Sequence, residues 1–129
     1  MGGLNELLGL VIDDASPQRV RAHLIVSDIH LQPMGLVHGG VYAAIAESLA
    51  SLGAFINAHE KDGDVGVVGL ENHTTFLRAA RVGTRVDAEA APRHAGRRTQ
   101  SWTVTMRDGE GRELAMSTVR LIVVRENTV

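Results

Sequence analysis

The 129-residue chain reads as a single α+β domain in which one long helix is wrapped by an antiparallel sheet. Three observations predict this. Residues 40–58 are small or apolar except at Tyr42, Glu47, Ser48, Ser51 and Asn57, a run whose length and alanine content favour helix over strand. A helix apolar on nearly every side must be buried. Residues 65–125 then fall into four stretches of period-two alternation divided by turn residues, which is the signature of consecutive strands.

Taken in order, residues 4–8 read as a short helical turn. Val20, Ala22, Leu24 and Val26 alternate with Arg19, Arg21, His23 and Ile25, so this segment is a half-buried strand. Pro33 and Gly35 mark a loop ahead of the long helix. "HEKDGDVG" (59–66) is expected to be a polar loop. Residues 65–77, 84–90, 98–107 and 112–125 are the four strands. A tight turn is expected at "RHAGR" (93–97), and a hairpin is built on Asp108-Gly109. The simplest pairing is a four-strand meander. Such a sheet covers only one side of the helix, so the remaining apolar surface and the sheet edges call for a second copy of the chain. A homodimer at least is expected.

Composition narrows the classes. Hydrophobic residues make up 44% of the chain but aromatics only 3%, so the core is aliphatic. A net charge of −2 gives no sign of a nucleic-acid or membrane partner. With no cysteine, disulfides, thiolate metal sites and a Cys nucleophile are excluded. No basic stretch followed by an apolar run opens the chain, and no run of about 18 apolar residues is free of charge. The expected location is the cytoplasm. The six histidines are scattered without paired metal-ligand spacing, so no metal is expected.

The chemistry centres on "LQPMGLVHGGVYAAIAESLAS" (31–51), where Glu47 is the one carboxylate in an apolar helix. Burying a carboxylate costs several kcal/mol unless it is paired, and the same burial raises its pKa and reactivity. A structural ion pair is the plain reading. "VHGG" (37–40) shifts the balance. Backbone N–H groups at a helix start lack intrahelical partners and favour negative charge. Glycines let a ligand approach the backbone. An oxyanion hole with a buried carboxylate, no Cys and no evident Ser-His-Asp set points to hydrolysis of an activated acyl group such as a thioester. Gly39 and Glu47 are eight residues apart, about 12 Å along a helix, too far to meet at one carbonyl. Two helices packed antiparallel across a two-fold axis would bring Glu47 of one chain to the Gly39 turn of the other, giving two shared sites per dimer.

The stretch "HLQPMGLVHGGVYAAIAESLAS" closely resembles the hotdog-fold acyl-CoA thioesterases, in particular the 4-hydroxybenzoyl-CoA thioesterase and phenylacetic-acid-degradation group with the acidic residue on the central helix. The resemblance continues through "GLENHTTFLRAARVG" and "RHAGRRTQSWTVTMRDGEGRELAMSTVRLIV". Its specific part is Q-P-x-G-x-x-H-G-G-x(6)-E-S. It implies a hotdog fold in a dimer or tetramer, and hydrolysis of an aryl or medium-chain acyl-CoA to free acid and CoA. No cofactor is implied, CoA being part of the substrate. Glu47 would be nucleophile or general base, and the Gly39 N–H would bind the thioester oxygen. Gln32 would contact the thioester or orient the reacting groups. Ser51 would hold the attacking water or Glu47, as the i, i+4 spacing independently supports.

His38 is a possible base, since its unperturbed pKa is about 6.5, although fixing the loop by hydrogen bonds is the plainer role. Arg93, His94, Arg97 and Arg98 are either a solvated hairpin tip or a clamp for the CoA phosphates, which suit Arg. Arg78 and Arg81 are weaker candidates for the same role. The group often carries Asn where this chain has His73 and Thr75, and Pro where it has Ala79, positions expected to line the acyl pocket or its rim. Met34, Val41, Leu52 and Phe55 are expected to be core residues rather than pocket lining. Two other readings share the fold. A hydratase would need an Asp and His set that is not placed here, and a non-catalytic acyl-CoA binder has little reason to bury an unpaired acid.

Overall fold

The computed structural model describes residues 2–125. A short helix α1 (Leu4–Leu8) leads into strands β1 (Val11–Ala15) and β2 (Val20–Ile25). After the helix α2 (Gly39–Asp62) come β3 (Gly66–Phe76), β4 (Arg85–Ala95), β5 (Thr99–Arg107) and β6 (Glu113–Val124). All pairings are antiparallel, and the six strands lie in the order β1-β2-β4-β5-β6-β3.

Helix α2 begins at His38, whose extended backbone and Nδ1, accepting from Gly40 N–H at 2.8 Å, cap the first turn. It ends at Gly63, which adopts φ 76° and donates to the His59 carbonyl. The helix therefore runs four residues past the expected boundary and takes in His59, Glu60, Lys61 and Asp62. His59 and Lys61 suit its negative C-terminal end. Lys61 Nζ donates to the Ala95 carbonyl at 2.7 Å and Asp62 pairs with Arg125 at 2.7 Å, tying that end to the sheet. By length and composition α2 meets the requirements of a membrane span. Here its Val41, Ile45, Leu49 and Ala54 side chains are buried against the sheet.

The expected four-strand meander is corrected. β4, β5 and β6 form one, but β3 pairs with β6 at the far edge. Residues 77–84 carry the chain back past the start of α2, where the Ala80 carbonyl accepts from Val37 N–H. Strand β1 was not expected from its sequence. It is a largely exposed edge strand carrying Asp13 and Asp14, with a register break between Ile12 and Asp14 that spoils alternation. The turn expected at 93–97 falls later, because Arg93, His94 and Ala95 still belong to β4. A second break, in β3 between Gly69 and Glu71, leaves Leu70 as an extra residue.

The Asp108 hairpin closes as expected. Its carboxylate accepts from the backbone N–H groups of Glu110 and Arg112 at 2.9 and 3.0 Å and from Arg112 Nε at 2.8 Å. Burial pushes this carboxyl up, but those hydrogen bonds and the guanidinium outweigh it and hold it below the usual aspartate range. Its contribution to stability is therefore complete above the ordinary aspartate pKa and is lost as pH falls through the lowered one. Urea midpoints measured from pH 7 to pH 2 should show a smaller acid-side decline in Asp108→Asn than in the wild type. Parallel declines would refute this assignment.

Candidate active site

Glu47 sits on the flank of α2 that faces the free edge strand β3. It is half-buried rather than fully buried as expected, because the residue opposite is Gly69 and no further strand covers it. Its Oε2 lies 2.0 Å from where a Cβ on Gly69 would stand. Asn72 Nδ2 donates to the Ala43 carbonyl at 2.9 Å and reaches Glu47 Oε1 at 3.4 Å. Ser51, one turn on, is half-buried on the same helix flank.

The other half of the expected site lies at the start of α2. Gly39 is the first helical residue, and its N–H has no hydrogen-bond partner among the described residues. A cleft of about 400 Å³ opens there, lined by Gln32, Leu36, Gly39, Tyr42, Phe76 and Arg78, among others. The Gln32 side chain accepts from Met34 N–H, and its backbone N–H donates to the Leu36 carbonyl at 2.8 Å, so the loop holds it toward the cleft. The Phe76 ring lies against the Gly39 Cα, 2.6 Å from where a Cβ would be. Tyr42 is 3% exposed, its hydroxyl lacks a partner among the described residues, and burial pushes its pKa up. His38 is committed to the helix cap and is otherwise exposed.

This loop is latched from below by His30, buried to 2% exposure. Its Nδ1 accepts from Ser27 N–H at 2.9 Å and its Nε2 meets the Leu8 carbonyl at 2.7 Å. Its own carbonyl accepts from His38 N–H.

The structure thus groups the expected residues into separate places. Gln32, His38 and Gly39 are together, and Glu47 and Ser51 are together about 12 Å along the helix. Arg93, His94, Arg97 and Arg98 are exposed at the opposite end, where the Arg97 carbonyl accepts from Arg125 beside Asp62. Arg78 borders the cleft, while the Arg81 guanidinium lies near Gly35.

Two expectations are corrected. His73 and Thr75 point to the outer face of the sheet, because after the Leu70 bulge the even-numbered residues Asn72, Thr74 and Phe76 face the helix. Met34 and Phe55 are not core residues in the single chain, being 76% and 41% exposed, whereas Val41 is buried and Leu52 packs against the core. Gly69 and Asn72 were missed by sequence reasoning. A glycine inside a strand pattern is itself a signal of a bulge or a close approach, and that signal was present at Gly69. Among the described residues, no cluster of His, Asp and Glu is placed to hold a metal ion.

Comparison with known proteins bears on the family and the fold. The family profile described as "Thioesterase superfamily" matches residues 34–115. Rv1847 of Mycobacterium tuberculosis, named as a candidate esterase, is 45% identical over 116 residues, 88% of this chain and 81% of that protein. Its solved structure superposes with a TM-score of 0.90 at 40% identity, covering 95% of this chain and 97% of that one. The Arabidopsis thaliana 1,4-dihydroxy-2-naphthoyl-CoA thioesterase 2 is 41% identical over 101 residues, 78% of this chain and 62% of the plant protein. The crystal structure of AziG from S. sahachiroi gives a TM-score of 0.90 at 38% identity, covering 96% and 98% of the two chains.

Proposed function

The chain belongs to the thioesterase superfamily and has the hotdog fold, and from that premise we propose that it hydrolyses an acyl-CoA thioester, aryl or medium-chain, to the free acid and CoA. The observation that carries this reading is the half-open Glu47 carboxylate on the flank of a helix whose first N–H, at Gly39, is unpaired among the described residues.

The reacting carbonyl lies between Glu47 of one subunit and Gly39 of its two-fold mate. Gly39 N–H donates to the thioester oxygen, and negative charge builds there with the helix dipole behind it. Glu47 acts in one of two ways. As general base it takes a proton from water as the water oxygen bonds to the acyl carbon, and returns it to the CoA thiolate when the C–S bond breaks. As nucleophile it displaces the thiolate directly, and water cleaves the resulting anhydride. Ser51 holds the water or the carboxylate, and Gln32 orients the thioester from the cleft.

CoA would run along α2 toward Arg93, His94, Arg97 and Arg98. Asp62 lies 15 residues beyond Glu47, about 22 Å along the axis, a span of the order of a pantetheine arm with its pyrophosphate. One subunit then supplies Glu47, Ser51 and the phosphate clamp, and the other supplies Gln32 and Gly39. The exposed edge of β3 and the half-open flank of α2 are the surfaces on which a cytoplasmic homodimer, or a tetramer of two dimers, would assemble.

The test is thiol release from benzoyl-, 4-hydroxybenzoyl-, phenylacetyl-, hexanoyl- and palmitoyl-CoA, with Glu47→Gln beside the wild type. Turnover of at least one ester by the wild type, lost in Glu47→Gln with binding retained, is the expected result. Binding by both proteins with hydrolysis by neither would make this an acyl-CoA binder.

A further inference from the structure

Glu47 is long, flexible and only half-buried, so something must fix where its carboxylate rests. No cation holds it, since none of the ion pairs among the described residues includes Glu47. What surrounds it is the bulge in β3. Gly69 stands opposite Leu121 and Asn72 opposite Val119, with Leu70 as the inserted residue between them. The insertion turns both Gly69 and Asn72 toward α2, three positions apart, where regular alternation would have sent one of them to the outer face. Their partners Leu121 and Val119, beside them on β6, are fully buried, so the neighbouring strand holds this part of β3 in register. The carboxylate occupies the volume that a side chain on Gly69 would fill, its Oε2 2.0 Å and its Cδ 3.0 Å from that Cβ. Asn72, anchored on the Ala43 carbonyl at 2.9 Å, closes the other side.

We infer that the β3 bulge is the positioning device for Glu47, with Gly69 supplying the cradle and Asn72 the side wall. Gly69 and Asn72 are positioning residues, because they act through the carboxylate. The inference rests on the reading of Glu47 as the reacting group.

Gly69→Ala is the decisive variant. The atom that must give way is the end of a flexible side chain, so the fold tolerates the change while the carboxylate moves. A displacement of about 1 Å in a reacting group costs about 10²-fold in rate. The expected result is kcat lowered by about that factor, with KM and the melting temperature near wild type. Gly66→Ala is the control on the same strand, since nothing lies within 4 Å of a Cβ there, and it should behave as wild type. Glu47→Asp withdraws the carboxylate from the cradle, so adding Gly69→Ala to it should cost little more, a non-additive cycle.

Normal turnover by Gly69→Ala, or the same fold-loss whether Gly69→Ala is added to the wild type or to Glu47→Asp, would overturn the inference. If Glu47→Asp is too slow to measure, the Glu47 carboxyl resonance in ¹³C-labelled Gly69→Ala decides: displaced from wild type it supports the cradle, unchanged it refutes it. Hydrolysis by wild type that disappears in Glu47→Ala secures the reading of Glu47 separately, so a normal Gly69→Ala would then sink the positioning alone. A wild type inactive on every ester would sink both.

Discussion

Two inactive variants should restore each other. Glu47→Ala is expected to lower kcat/KM by about 10³-fold, within the range for loss of a general base. Gly39→Pro is expected to lower it by about 10²-fold to 10³-fold by deleting one oxyanion donor. The proline change is unusually clean here. Gly39 is the first residue of α2, a position where proline is accepted because its N–H has no helical role. His38 before it already has φ −65° and ψ 133°, the conformation a following proline demands. Only the Phe76 ring must swing aside, and at 58% exposure it has room to do so.

In a heterodimer of the two variants, purified through two different tags, one site pairs an intact Glu47 with an intact Gly39 and the other pairs both defects. Turnover of about half the wild-type rate per dimer is expected from two parents that are each nearly dead. Heterodimers as inactive as the parents would mean that each site is completed within one chain. The shared-site geometry rests on a separation of eight residues along α2, so this is its most direct measurement.

How much of this was legible beforehand can be judged residue by residue. The start of α2 was, because His38-Gly39-Gly40 ahead of an alanine-rich run fixes both the cap and the first turn locally. The strand over 98–107 was also legible, since β5 is central and regular in its alternation. Errors arose where the outcome depends on contacts distant in sequence. Nothing within residues 65–77 says that β3 will pair with β6 rather than β4, because that pairing is decided by which edge remains free after the two hairpins close. A single inserted residue at Leu70 reverses the faces of everything after it, and so His73 and Thr75 were placed on the wrong side. Glu47 was expected to be buried because the helix around it is apolar. The glycine opposite, supplied by a strand 22 residues later, leaves the carboxylate room and access.

The largest stability effect should come from Trp102, whose ring seats the helix that carries Glu47. The ring is fully buried in a core that is aliphatic apart from Trp102 and Tyr42, on a central strand between Pro92 of β4 and Val119 of β6. Its indole N–H donates to Gln100 Oε1 at 2.8 Å, and the Gln100 amide reaches Asn57 Oδ1 of α2 at 3.3 Å. The ring fits only because α2 presents Gly53 to it, where a Cβ would stand 2.4 Å from the nearest ring carbon. Trp102→Ala removes that volume and leaves Gln100 without its buried donor, a loss of about 3–5 kcal/mol. Gly53→Ala is the opposite error, overpacking that costs about 1–3 kcal/mol.

The two changes share one contact, so the double variant should be less destabilised than the sum of the singles, because the added methyl enters the space the indole vacates. Urea unfolding of the four proteins measures this directly, and strict additivity would show that the indole does not set the seat of α2. Gly53 lies less than two turns from Glu47 on one rigid helix, so Gly53→Ala should also lower kcat in the folded protein. A Gly53→Ala protein that loses stability but keeps full turnover would show that the β3 bulge alone governs where Glu47 rests.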